Sequence, residues 1–319
     1  MAIAYSPAKS RPGPLTWVIL GATGDAQRSQ FGRSSDYPAA ADFDGDGWAD
    51  MAVIRSVNKK DIRWIIRFSK SGRTVEVPFS DRIDWALVGS GCDFDGDGRD
   101  DLAGFDSSRR QLHYLSSSKD SGKTTLSPSL PKHGHVVDVS CASINANKRS
   151  DMIVLESVPP HGKIPSYSLL SAFDILTGKV MLQRKIKGRV DKIAPIQMVP
   201  GDGPGIAYYA FQENGTISYV TILVPNAHDY TAARVKLNPP LTAFSEAVFS
   251  QRLDAQLGSQ GALTGFVGMT NKGPYVFDFA TLSMGGVPVI QNAQVVRDLN
   301  PVLSRSRMLT SVSAIKLTN

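Results

Sequence analysis

Two nine-residue stretches hold the side chains best suited to chemistry. Asp42-Phe43-Asp44-Gly45-Asp46-Gly47-Trp48-Ala49-Asp50 and Asp93-Phe94-Asp95-Gly96-Asp97-Gly98-Arg99-Asp100-Asp101 both read D-x-D-x-D-G-x-x-D. Four carboxylates at positions 1, 3, 5 and 9 of a compact loop repel one another unless a hard cation sits among them. Calcium suits this spacing, because it accepts six to eight oxygens in flexible geometry and glycines permit the sharp turns. The expected ligands are Asp42, Asp44, Asp46, the Trp48 carbonyl and Asp50, and then Asp93, Asp95, Asp97, the Arg99 carbonyl and Asp101. Asp and Gly are also ordinary turn residues, but two copies with matched spacing argue against a chance turn.

An EF-hand is excluded by the sequence itself. That loop needs a bidentate Glu at position 12 and a following helix, and position 12 is Val53 in one copy and Gly104 in the other. The loops run instead into Met51-Ala52-Val53-Ile54 and Leu102-Ala103-Gly104-Phe105, short apolar runs that read as strands. The acidic loops are therefore expected to join two strands.

The element around each loop recurs. The last Asp of each loop, Asp50 and Asp101, leads by nearly the same interval to Asp151 in Ser143-Ile144-Asn145-Ala146-Asn147-Lys148-Arg149-Ser150-Asp151. Ser143, Asn145, Asn147 and Asp151 keep oxygen at the ligand positions but only one carboxylate, so this third copy reads as a weaker or lost metal site. Later copies keep only the hairpin, through Gly201-Asp202-Gly203 and through Gly258 to Gly261. A second series of apolar or aromatic strands follows the hairpins: Trp17–Leu20, Trp64–Ile66, Leu112–Leu115, Tyr167–Leu170, Tyr219–Leu223 and Tyr275–Phe279.

Four short strands in about 45 to 56 residues make a β-propeller blade. The expected fold is all-β, a single propeller over residues 1–319 with six four-stranded blades, or seven as the alternative. The approximate repeats are 1–41, 42–92, 93–142, 143–200, 201–253 and 254–319. Met1 to Tyr5 resembles a strand that follows a loop, and Met308 to Leu317 one that precedes a loop, so closure by pairing of the N- and C-terminal strands is expected.

These motifs resemble the FG-GAP and VCBS repeats that build the integrin α-subunit head and many bacterial surface proteins. Phe31-Gly32, Tyr37-Pro38, the Asp42 to Asp50 loop and Met51 to Arg55 carry the resemblance, with the Asp93 to Asp101 unit repeating it over roughly residues 14–156. The resemblance implies a propeller with calcium between the first two strands of some blades, two sites and a worn third, working in adhesion or recognition outside the cell.

Composition sets further bounds. The chain has 319 residues, 42% hydrophobic content and a net charge of +6, with a mean hydropathy of −0.13 and a pI near 9.2. The start, MAIAYSPAKSRPG, lacks a signal peptide's apolar core, and no apolar run is long enough for a membrane span. Basic residues stand in separate segments, Lys59-Lys60, Arg109-Arg110, Lys148-Arg149 and Lys185 to Arg189, which reads as a solvated surface with no nucleic-acid partner. Cys92 and Cys141 lie about one repeat apart, on neighbouring strands; they read by default as buried free thiols, with a bridge as the alternative.

The sequence thus favours a structural calcium and a recognition module that binds a glycan or an extracellular protein, on the cell surface or secreted. Connections 157–166 and 225–231, with Trp48 and Trp85 as exposed aromatics, are the display elements, whereas Trp17 and Trp64 belong in the core. The alternatives are a polysaccharide lyase or hydrolase, for which His133-Gly134-His135 offers a base or metal ligands, and a purely structural interaction domain.

Overall fold

The computed structural model describes residues 2–5, 13–20, 26–57, 61–79, 83–87, 92–116, 125–145, 147–197, 204–225, 230–241, 243–247, 265–270, 273–284, 287–298 and 314–316. His228, the 258–261 turn and most of 308–317 lie outside them. Among the described residues there is no helix, and so none long and apolar enough to cross a membrane.

Among the described residues every named strand pairs antiparallel. Strands β1 (Ala2–Tyr5), β2 (Pro14–Leu20) and β3 (Ala26–Arg33) form a three-stranded sheet. Five sheets follow in chain order, four of four strands and one of five. The first is β4 (Tyr37–Ala41), β5 (Asp50–Ser56), β6 (Ile62–Arg67) and β7 (Thr74–Phe79). Next comes a sheet of β8 (Trp85–Leu87), β9 (Leu102–Asp106), β10 (Gln111–Leu115) and β11 (Thr125–Leu126), to which a terminal strand adds a fifth member. Strands β12 (His135–Ala142), β13 (Asp151–Val158), β14 (Tyr167–Phe173) and β15 (Val180–Lys187) make another four-stranded blade. Two more are β16 (Lys192–Gln197) to β19 (Tyr230–Leu241), through β17 (Pro204–Tyr209) and β18 (Ile217–Pro225), and β20 (Ala243–Ala247) to β23 (Val287–Asp298), through β21 (Gly265–Thr270) and β22 (Gly273–Met284). Consecutive strands pair throughout, which is the blade order of a β-propeller.

The expected count of six or seven four-stranded blades is corrected by this topology: four sheets have four strands, and closure by the termini is not found among the described residues. The last strand, β24 (Ala314–Lys316), does not join β1 but pairs with β8, Ile315 opposite Ala86. Its physical reason is an open edge. β8 is only three residues long and pairs with β9 on one side, so its other N–H and C=O groups are satisfied by the terminal strand.

The chain divides into two compact units. One holds the β16–β19 and β20–β23 blades within Asp191–Val312, and the other holds the blades from β4 to β15, within Phe31–Val190, together with β24. In the second unit the core is built from aromatic and β-branched side chains on the inner strands. Trp64, Phe94, Phe105, Leu112, Met152 and Phe173 are fully buried, and Trp17 is buried on β2, as their apolar strands imply. Trp85 corrects an expectation. It is 3% exposed rather than displayed, because β8 is covered on both faces and all three of its residues are buried.

Cys92 and Cys141 are joined in a disulfide, with Cα atoms 5.5 Å apart, so the default reading of free thiols is corrected. Cys141 lies on β12, whereas Cys92 lies not on a strand, as its spacing suggested, but on the connection that leads into the second acidic loop. Both sulfurs sit in a core shared by two blades, among Phe94, Tyr114, Val139 and Met152. Replacing both cysteines by Ser is expected to lower the unfolding free energy by about 2–4 kcal/mol. The urea midpoint of the reduced or substituted protein checks this, and an unchanged midpoint would count against a stabilising role.

Candidate metal centre

Each acidic loop links the first two strands of a blade, Asp42–Ala49 between β4 and β5 and Asp93–Asp101 between β8 and β9. Its second residue anchors it. Phe43 is buried edge-on to Trp64, ring centres 6.1 Å apart, and Phe94 is buried 5.5 Å from Tyr114. Trp64 and Tyr114 occupy the third strands of their blades, so the two loops are pinned in the same way. At positions 4 and 6 the backbone has φ of 74° and 83° in the first loop and 80° and 86° in the second, at Gly45, Gly47, Gly96 and Gly98. That left-handed conformation favours glycine and explains the D-G-D-G spacing.

The first Asp of each loop organises the turn. Asp42 Oδ1 accepts the N–H groups of Gly45 (2.8 Å) and Asp46 (3.0 Å), and its Oδ2 accepts that of Gly47 (2.8 Å). Asp93 repeats the pattern with Gly96 (2.6 Å), Asp97 (3.2 Å) and Gly98 (2.9 Å). The last Asp ties the loop to its neighbours. Asp50 accepts from Phe43 at 3.0 Å and from Ser69 at 2.8 Å, and Asp101 accepts from Phe94 at 2.8 Å.

Three expected ligands come together at each site. Carboxylate oxygens of Asp42, Asp44 and Asp50 lie within 4.8 Å of one another, as do those of Asp93, Asp95 and Asp101. Asp46 and Asp97 stand apart from these groups. Each folds back on its own turn to accept an N–H two residues on, Trp48 at 2.8 Å and Arg99 at 2.9 Å. The Lys70 ammonium stands 3.4 Å from Asp46 Oδ2. Asp44 Oδ1 is shielded from solvent and accepts no hydrogen bond, whereas Asp95 Oδ2 takes the Ser116 hydroxyl. A shielded carboxylate oxygen with no donor is costly. The all-oxygen donor set, with that vacancy in hydrogen bonding, fits a hard divalent cation.

The loops are also joined to one another. Asp100, which precedes the last ligand, accepts the Asp42 N–H at 2.8 Å and donates its own N–H to the Asp42 carbonyl at 2.8 Å. Ser150 N–H reaches the Asp93 carbonyl at 2.6 Å in the same relation. Position 7 crosses over too: a Cβ on Gly45 would lie 2.9 Å from Arg99 Cγ, and one on Gly96 would lie 3.0 Å from Arg149 Cγ. Trp48, the position-7 residue of the first loop, is 60% exposed, as read from the sequence. None of these links was sought in the sequence. Their signals were there, in Phe at position 2 of both loops, in the doubled Asp100-Asp101, and in Arg at position 7 of two copies.

The third loop keeps the frame without the charge. Asp151 is buried and accepts the Ile144 N–H at 2.8 Å, while Asn145 and Asn147 accept the N–H groups of Asn147 (3.2 Å) and Arg149 (2.9 Å). Asn145 and Asn147 are exposed, Ser143 is half-buried, and Asp151 is the single carboxylate of this loop. Elsewhere, His133 and His135 are exposed, and His133 Nδ1 lies 3.2 Å from the buried Glu156 carboxylate. No protein-family model matches this chain, and no curated protein matches it significantly.

Burial pushes the Asp50 carboxyl up to about 6, against the N–H groups of Ser69 and Phe43 and helped by the charges of Asp44 and Asp42. Asp151 is likewise pushed up to about 6, chiefly by burial and against the Ile144 and Asn145 N–H groups. Burial raises Asp93 as well. Folded-state values above the ordinary 3.8 mean that the native protein holds more protons than the unfolded chain between about pH 4 and pH 6. The contribution of these groups to the stability of the metal-free protein is therefore present below that window and lost as pH rises through it, by about 2–3 kcal/mol at most for each of Asp50 and Asp151. Urea unfolding in chelator at about pH 4 and about pH 6.5 is expected to show the fall, and Asp151→Asn to remove part of it; a flat profile would contradict the shift.

Proposed function

We propose that this chain is a calcium-stabilised β-propeller recognition module of a secreted or cell-surface protein, of the FG-GAP/VCBS type, which binds a glycan or a protein partner. The observation that carries the reading is the pair of acidic loops at equivalent places in consecutive blades, each with three converging carboxylates. Asp42, Asp44 and Asp50, and Asp93, Asp95 and Asp101, would hold the ions. Asp46, Asp97 and the carbonyls of Trp48 and Arg99 are the further oxygens that the repeat assigns to them. Bound calcium supplies charge neutralisation to a hairpin whose carboxylates otherwise repel.

The chain's own residues do the rest. The N–H groups that converge on Asp42 and Asp93 fix the turns, and Phe43 and Phe94 fasten them to the blade cores. A role in stability rather than catalysis is favoured because the loop ligands come from one short segment and are tied to its own backbone. The Cys92–Cys141 bridge favours an oxidising compartment.

Calorimetric titration is expected to give two calcium ions per chain, falling to one in Asp42→Asn/Asp44→Asn. At a calcium concentration of about one hundred times Kd the fold should gain about 2.7 kcal/mol, read as a rise in Tm of several degrees that chelator reverses. A folded chain that takes up no calcium would refute the metal reading. Binding to a broad glycan array, with and without chelator, tests recognition. Specific signals lost on chelation support it, and silence from the folded, calcium-loaded protein toward both glycans and candidate protein partners counts against it.

A further inference from the structure

The charge surplus is not dispersed in space as it is along the chain. In the β12–β15 blade, His135 pairs with Ser157, Ser157 with Ser168, and Ser168 with Ile186, so four residues form one row across the sheet. At about 4.8 Å per strand the row is roughly 14 Å wide. The connection before β12, the β13–β14 connection and the segment after β15 all emerge at this level, and Tyr167 bridges to Gly188 across it. Residues 127–135, 156–168 and 180–190 together hold Lys132, Lys163, Arg184, Lys185, Lys187 and Arg189 against a single carboxylate, Glu156. Lys132, Lys163, Lys185 and Lys187 are exposed, as are His133, His135 and His161.

The one carboxylate is withdrawn from the surface. Glu156 is fully buried, 3.3 Å from Arg110 Nη1, and accepts the N–H groups of His133 (3.1 Å) and Gly134 (3.0 Å). On the adjoining blade, Asp106 is engaged with Ser108 and Arg109, and Asp84 with Ser107. Lysines on an edge strand also deter unwanted strand pairing. That accounts for Lys185 and Lys187 on β15 but not for Lys132 and Lys163, which stand on connections.

We infer that this end of the β12–β15 blade, formed by Lys132, Lys163, Lys185 and Lys187, is the binding surface for an anionic polysaccharide whose sulfate or carboxylate groups meet the lysine ammoniums. The inference rests on the recognition reading above and narrows it to one ligand class. Single-stranded nucleic acid fits less well, because it draws on open aromatic rings for stacking. Among Phe, Tyr and Trp these three stretches contain only Tyr167, and the Lys185 ammonium already covers its ring at 3.9 Å. Lysine also presents a point charge rather than the planar fork with which Arg recognises phosphate.

The test uses the full calcium-loaded chain and four immobilised probes: heparin, polygalacturonate, neutral dextran and oligo(dT). Retention by heparin or polygalacturonate, weakening steeply with salt, is expected, with none on dextran. Lys163→Glu/Lys187→Glu should bind about tenfold more weakly, equivalent to ~1.4 kcal/mol. Lys148→Glu/Lys179→Glu, which changes net charge equally at the other end of the same blade, should bind as the parent does. Equal losses in both variants would reduce the effect to net charge and overturn the inference, as would retention by oligo(dT) alone. Binding to a neutral glycan or a protein without any acidic-glycan response would overturn it while leaving the recognition reading standing. A folded protein that binds nothing in any arm would overturn both.

Discussion

Backbone N–H groups converging on one carboxylate set the shape of the acidic loops. Asp42 and Asp93 each accept three of them from the residues that follow, and those bonds demand left-handed backbone at the intervening glycines. The turn is thereby made before any cation is considered. It brings the carboxylates at positions 1, 3 and 9 together while leaving the shielded Oδ1 of Asp44 without a donor. Hydrogen bonds to a charged acceptor contribute about 1.5–3 kcal/mol each, enough to hold a loop against the repulsion it concentrates. The same bonds therefore create the site and the electrostatic problem that the site must solve.

That frame is separable from metal binding. The third loop has lost three of its four carboxylates, yet Asp151 still accepts the Ile144 N–H and Ser150 still reaches the preceding loop at Asp93. Arg149 still lies over Gly96 as Arg99 lies over Gly45. What persists through the series is the contact from loop to loop, which fixes the spacing of neighbouring blades. The ligands are the variable part. A loop can thus wear down to Asn and Ser and remain a structural joint, which explains why the repeat was still visible where its chemistry had faded.

Local pattern made much of this legible. Loop ends, the strands that leave them, and the burial of Trp17 and Trp64 all follow from short-range spacing and apolar runs. Features decided by partners distant in sequence were not. Trp85 reads as a displayed aromatic in the sequence, but β8 is an inner strand covered by its neighbours. Cys92 and Cys141 had the spacing of adjacent strands without any signal for bonding. The position of β24 depends on which strand edge lies open, and no periodicity reports that. The Asp100 latch was hidden in plain view, since a doubled Asp reads as one more acid rather than as a link to Asp42.

The lysines show the same limit from the other side. Along the chain Lys132, Lys163 and Lys187 are separated by tens of residues, yet strand register gathers them at one end of a single blade. The opposite end of that blade carries the third loop, Ser143 to Asp151, while the two acidic loops stand on the β4–β7 and β8–β11 blades. Strands of eight residues, such as β12, β13 and β15, hold the two ends roughly 26 Å apart at about 3.3 Å per residue. That is about three Debye lengths at physiological salt, so charge added or removed at the loops scarcely alters the field at the lysines. The loop at one end and an anion at the other can then be coupled only through the integrity of the strands between them. Such a blade keeps its worn loop as a structural joint and leaves its opposite end free to evolve a ligand.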